Sequence, residues 1–176
     1  MRAAEDESRG GDVVEGAEFS SPQEAANDAL VLAFGRLQGA ANRLEYILGR
    51  SLEQECGISH LMYEVLLILG RAGGPGLSMR AVAQAQVLTT GGVTRLVDRM
   101  AAAGLVERAE DPDDRRGRLV RLTRLGEETV VRASGLHVEN IRRYFVAPLP
   151  PEDLERFADD LRILSHSARD ELPRLP

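Results

Sequence analysis

The residues of this chain best suited to chemistry lie between Thr89 and Thr123, in the run TTGGVTRLVDRMAAAG followed by LVERAEDPDDRRGRLVRLT. Thr89 and Thr90 supply hydroxyls that can cap a helix and donate to a phosphate oxygen. Gly91 and Gly92 remove side chains from the helix start, so backbone N–H groups can come close to an anionic backbone. Two glycines cost a helix roughly 1 kcal/mol each relative to alanine, which invites a close-approach explanation. Thr94 and Arg95 project toward the same open face, where a guanidinium can make two hydrogen bonds to a guanine edge. Arg99 follows one turn on, available either to a nucleic acid or to Asp98 or an acid of the segment that follows. Val93, Leu96, Val97 and Met100 fall on the opposite side and should be core.

Gly104 is a left-handed stop signal for that helix. Beyond it, Leu105 to Ala109 and Gly117 to Thr123 are candidate strands around a DPDD turn, and the tip from Asp111 to Arg118 alternates acids with arginines. Arg118 is a candidate phosphate contact. Ser78, Met79 and Arg80 open a supporting helix whose N-terminus should also touch phosphate. A helix for a groove and an arginine-tipped ribbon for the flanking backbone make a winged helix-turn-helix, a unit that grips duplex DNA.

The elements that must position this unit follow from the apolar pattern. Met1 to about Ser21 is Gly-rich and acidic, and is expected to be a disordered tail. Ala26, Leu30, Ala33, Leu37, Ala40, Leu44 and Ile47 form one helical stripe over about six turns, with Ser21 as cap and Pro22 at the first position. Gly57 breaks the pattern, and Ser59 can cap a buried helix from His60 to Arg71. Gly73 to Gly76 is a turn. Ser78 caps a short helix through Gln86, with Met79, Val82 and Ala83 inward, and Thr90 caps the Gly91–Gly104 helix. After the hairpin, Thr123 and Glu127 open a long helix to about Phe145, with Val130, Ala133, His137, Ile141 and Tyr144 on one side. Pro151 starts a last helix with Leu154, Phe157, Ala158, Leu161 and Leu164 as its stripe. The expected fold is mainly α with a small β-hairpin wing: a winged unit at about 57–123, flanked by dimerisation helices at about 22–50 and 124–172.

With 176 residues the chain can bury one proper core. Trp is absent and aromatics are scarce, so that core is aliphatic and the protein mainly helical. No apolar run approaches the roughly 20 residues needed to span a bilayer, and the acidic N-terminus lacks a signal core, so a cytoplasmic protein is expected. The net charge of −6 argues against DNA until its distribution is considered. Residues 71–124 hold ten Arg against six acids, +4, and the remainder holds twelve Arg against twenty-two acids, −10. A basic reading face on an acidic support fits that asymmetry.

The run T-G-G-V-T-R-L-V-D-R-M-x-x-x-G-L-V-x-R, then D-P-x-D-R-R-x-x-x-V-x-L-T, resembles the recognition helix and wing of the MarR family of bacterial transcription regulators, and the resemblance extends over about Leu30 to Leu164. It implies a homodimer, usually a repressor, that binds a palindromic operator and releases it when a small molecule binds. Asp114, Arg115 and Arg116 match the family's D-R-R signature. By that resemblance Arg116 is the minor-groove arginine, with Asp114 orienting an arginine through a charge-assisted pair. The resemblance also implies an effector cleft where the dimerisation helices meet the winged unit, and many of the family's effectors are phenols or aromatic acids. Arg43, Tyr46, His60, Tyr63 and His137 are the polar and aromatic groups available on its walls.

Two other classes have weaker support. An enzyme would need more than the lone thiol of Cys56 four residues before His60, because no third ligand or orienting acid has matching spacing. One cysteine also excludes an intrachain disulfide and a multi-Cys zinc site, and no cofactor is implied. Some redox-sensing members of the family carry a reactive cysteine near the start of the first long helix, and Cys56 falls at its far end. A winged-helix module that has lost DNA binding and docks a protein partner is the runner-up. Steep salt dependence of duplex binding separates the first reading from both.

Overall fold

The computed structural model describes residues 18–86, 90–111 and 117–171. Helix α1 (Pro22–Ala26) is capped by Ser21, whose Oγ accepts from Glu24 N at 3.1 Å. Glu24 reaches back to the amide of Ser20 at 2.9 Å and accepts from its hydroxyl at 2.5 Å. Those two bonds, the hydroxyl's first, hold the Glu24 carboxyl below its usual range. Ser21 is thus the cap its position suggests, and Ser20, expected in the tail, adds a capping-box-like return bond from Glu24.

The single stripe expected from Ala26 to Ile47 is interrupted. Asn27 donates from its side-chain amide to Gln23 O at 2.7 Å, and Asp28 Oδ1 accepts from Leu30 N and Val31 N at 2.9 and 3.0 Å. Asx side chains compete with the helix for its own backbone groups, so one helix ends and a second is capped within two residues. Helix α2 (Ala29–Cys56) then runs six residues past the expected stop at 50, until Gly57 at φ 71°.

The chain divides by compactness after Ala40. The first unit holds α1 and the opening of α2, whose Leu30, Val31, Phe34 and Leu37 are exposed. The second unit holds the remainder of α2 and the whole winged unit. There α3 (His60–Ala72) is capped by Ser59 and buries Tyr63, Val65, Leu66 and Leu69. The turn after it delivers a strand that the sequence pattern does not reveal, β1 (Leu77–Ser78). Gly76 makes it possible: φ is 97°, and a Cβ there would stand 2.2 Å from Val120 O. Ser78 then caps α4 (Met79–Ala85), and α5 (Thr90–Ala102) follows.

The hairpin is β2 (Val106–Glu110) and β3 (Arg118–Leu122), antiparallel, with Arg108 opposite Val120. The sheet order is β1-β3-β2, Leu77 pairing Val120 on the other edge of β3. Thr123 caps α6 (Arg124–Ile141), its Oγ1 accepting from Gly126 N at 3.0 Å and donating to Gly104 O at 2.5 Å. The α-helix expected to reach Phe145 ends at Ile141, and residues Arg142–Val146 form a π turn. A 3₁₀ turn (Pro151–Asp153) leads into α7 (Leu154–Glu171).

The core gathers Leu52 from α2, Leu66 and Leu69 from α3, Val82 from α4, Val93, Leu96, Val97 and Met100 from α5, and Val106 and Val120 from the sheet. Each such side chain contributes about 1.5–3 kcal/mol by leaving water, so recognition helix and wing share one apolar floor. No helix among the described residues is long and apolar enough to cross a membrane.

Candidate nucleic-acid interface

Helix α5 divides sharply. Val93, Leu96, Val97 and Met100 are at most 1 % exposed, while Arg95, Asp98 and Arg99 are exposed and Thr94 is half-buried. The 3.6-residue period puts Arg95 and Arg99 above one another on the outer face. Neither forms an ion pair among the described residues. Asp98, one of the acids considered for Arg99, is held instead by Arg108 Nη2 at 2.7 Å. That pair ties β2 to α5. No local sequence signal marks it, because ten residues and a turn separate the partners.

At the helix start, a Cβ on Gly91 would meet nothing within 4 Å. Nothing among the described residues therefore requires a bare backbone there. Gly92 is exposed beside it. Thr89 lies outside the described residues, and so does the side chain of Thr90. Ser78 and Arg80 are exposed at the start of α4. The Ser78 hydroxyl accepts from Ala81 N at 3.2 Å and keeps its proton available for donation.

On the wing, Arg121 donates to Glu107 at 2.6 Å across the strands. Arg118 donates to Gly117 O at 3.3 Å and stands 3.9 Å from Glu110. Its head is half exposed and that ion pair is long, so the charge is available to a third partner. Asp114, Arg115 and Arg116 lie outside the described residues.

Of the expected effector residues, the structure brings three into ring contact. His137 on α6 lies 4.8 Å from Tyr63 and 5.6 Å from His60, centroid to centroid, and Tyr63 hydrogen-bonds Ser134 at 3.1 Å. Burial first, then the neighbouring His60, hold His137 below the ordinary imidazole value. Tyr46 and His60 line a cavity of about 420 Å³ between α2 and the start of α3. Arg43 is exposed on α2 and is not among its lining residues. Ser134 was not anticipated, having no periodic or motif signal. Cys56 packs against the core, and no group of three His, Cys, Asp or Glu among the described residues is placed to hold a metal.

The sequence model of the MarR family matches residues 57–117, the span from the start of α3 to the wing tip. The transcriptional regulator HosA of Escherichia coli O111:H- is 33% identical over 91 residues, covering 52% of this chain and 67% of that protein. The MarR family regulator Sco3205 of Streptomyces coelicolor, solved in complex with DNA, superposes with a TM-score of 0.71 at 26% identity, over 87% of this chain and 92% of its own. CouR of Rhodococcus jostii RHA1, solved bound to p-coumaroyl-CoA, has a TM-score of 0.63 at 26% identity, over 78% and 92% of the two chains.

Proposed function

Because this chain belongs to the MarR family of DNA-binding transcriptional regulators, we propose that it is a ligand-responsive repressor binding a palindromic operator as a homodimer. The family is one of regulators and not of enzymes. The observation that carries the proposal is α5: an apolar face sealed in the core beneath two arginines that no acid among the described residues neutralises. Arg95 reads a base edge in the major groove. Thr89, Thr90, Gly91, Gly92 and Thr94 seat the helix start on phosphates, joined by Ser78 and Arg80. Arg99 and Arg118 grip the flanking backbone, and Arg116, oriented by Asp114 beside Arg115, enters the minor groove.

Dimerisation is supported by apolar surface on the terminal helices. Leu30, Val31, Phe34 and Leu37 are exposed on α2, and Ile163 and Leu164 on α7. Pairing these with a second copy buries them and sets two recognition helices about one DNA turn, roughly 34 Å, apart. Ligand response is supported by the polar and aromatic set Arg43, Tyr46, His60, Tyr63 and His137. In CouR a comparable fold holds a phenolic acyl thioester. A small aromatic carboxylate or phenol that favours the DNA-incompetent dimer lowers operator affinity by its differential affinity for the two states.

The test is genome-wide footprinting with the purified protein, beginning upstream of its own coding region, followed by titration of the recovered site against salt and against aromatic acids. A specific site with a steep salt slope and release by an aromatic acid is expected. Duplex binding that is absent or salt-insensitive would leave the protein-docking module as the better description.

A further inference from the structure

His60 is the first residue of α3, and His137 lies in the last turns of α6. With Tyr63 they form a closed three-ring contact, since His60 also stands 6.5 Å from Tyr63. The Tyr63 hydroxyl is engaged with Ser134. His60 also forms part of the wall of the cavity that Tyr46 lines. Gly49 of α2 lets that wall close: a Cβ there would stand 3.4 Å from His60 Cβ.

Within this cluster Nδ1 of His137 is sealed from solvent and has no hydrogen-bond partner among the described residues. A buried polar atom left unpaired keeps its full desolvation penalty. The atom is one ring away from a cavity, in a cluster whose other polar end, the Tyr63 hydroxyl, is already satisfied. Its unspent capacity is an acceptor when the proton sits on Nε2, and a donor when the proton sits on Nδ1 or the ring is charged.

We infer that the effector of this protein is taken up as an anion together with a proton: an aromatic carboxylate parts His60 from His137, and the imidazole pair acquires one proton from solvent as the carboxylate docks. This rests on the ligand-responsive reading above and adds the charge state of the receptor. Before binding, burial and the second imidazole both disfavour a charge on His137. A carboxylate beside the pair reverses that preference, because an opposite charge at hydrogen-bond distance stabilises the imidazolium. No bond other than the N–H bond forms, and the complex gains one proton and one carboxylate with no net change of charge.

The surrounding charges are mixed. On the α2 side, Glu45, Arg50 and Glu53 line the cavity beside His60, α3 contributes the Tyr63 phenol, and α6 the Ser134 hydroxyl bonded to it. Glu45 and Glu53 outnumber Arg50 on that wall, so the positive charge that holds a docked carboxylate is the one the imidazole pair acquires. Opening the ring contact moves α3 relative to α6, and Leu66 and Leu69 of α3 belong to the floor beneath α5. The same event that admits the ligand therefore displaces the support of the recognition helix.

The decisive measurement is titration calorimetry of the full-length protein with benzoate and 4-hydroxybenzoate, in phosphate and in Tris at pH 7.5. The difference in apparent enthalpy between buffers counts the protons taken up. Uptake approaching about one proton is expected, with Kd rising up to about tenfold per pH unit between the free and bound titration points. His137→Gln should abolish most of the uptake and flatten that dependence, with His60→Gln as the second variant. Binding with buffer-independent enthalpy and pH-independent Kd overturns the inference and leaves the effector reading standing. If neither probe binds or releases the operator, the effector reading itself fails and takes the proton linkage with it. Should either variant not fold, the wild-type buffer comparison decides alone.

Discussion

Arg108 of β2 donates through Nη2 to Oδ1 of Asp98 on α5 at 2.7 Å, so the first strand of the wing is fastened to the outer face of the recognition helix. Both side chains are about half exposed, and a pair of this kind adds only about 0.2–1 kcal/mol to stability. On the proposed reading its larger effect is angular, because it joins the helix assigned to the groove to the strand assigned to the backbone. Asp98→Ala should therefore weaken operator binding several-fold while shifting thermal unfolding little. Fluorescence anisotropy set beside a melting curve checks this, and equal losses in both would mean that the pair is merely structural.

Arg95 and Arg118 should fail differently. Arg95→Ala should cost about 1–3 kcal/mol of operator binding and relax the preference at one base position. Arg118→Ala should weaken all duplexes alike and reduce the salt slope by about one. Binding to a panel of single-base operator variants at several salt concentrations separates them. Identical specificity changes would show that Arg95 does not read a base.

Two glycines predict opposite outcomes. A Cβ at Gly126 would lie 2.0 Å from Leu105 O, so Gly126→Ala should destabilise the fold by roughly 1–3 kcal/mol, the range of overpacked sites. At Gly91 a Cβ meets nothing, so Gly91→Ala should raise helix stability by up to about 1 kcal/mol. It should nonetheless lower operator affinity by holding the helix off the phosphates. A Gly91→Ala protein that is more stable and binds DNA normally would remove the close-approach explanation.

Burial and His60 hold His137 below its ordinary value of 6.5. Above that pH neither the folded nor the unfolded chain carries the proton. Below it the unfolded chain binds more protons, so stability falls as pH drops through 6.5 toward the folded titration point. His137→Gln should abolish this part of the acid sensitivity. Melting temperatures at pH 7.5 and 5.5 for both proteins give the comparison, and an unchanged difference would assign the sensitivity elsewhere.

Removing residues 151–176 takes away α7 with its exposed Ile163 and Leu164. On the proposed homodimer, the truncated protein should dissociate at higher concentration than the intact one and lose operator affinity in parallel. Sedimentation and footprinting on the same preparation test this. A truncated dimer that binds normally would place the interface elsewhere.

The order of long helices, the buried face of α5 and the capping roles of Ser21, Ser59, Ser78 and Thr123 were legible in the sequence, because caps and amphipathic periods are local signals. The break at Asn27–Asp28 was local too, but an unbroken apolar stripe masked it. Strand β1 was not legible: two residues have no period, and Leu77 becomes a strand only by pairing with Val120. For the candidate site, the exposed arginines of α5 follow from spacing alone. The Asp98–Arg108 pair and the contact of His60 with His137 are made by tertiary packing, which brings together residues ten and seventy-seven positions apart.

The three-stranded sheet has its last-synthesised strand in the middle. Leu77 and Val106 emerge from the ribosome earlier, yet each finds its partner only when Val120 and Leu122 arrive. The winged unit therefore cannot close progressively as it is made. Residues 77–117 must wait as an incomplete core until 118–122 complete both edges at once, and contacts of that sequence separation are slow to form. A nascent chain halted before Arg118 should be as protease-sensitive as one halted at Gly104, and resistance should appear in one step once β3 is clear of the exit tunnel.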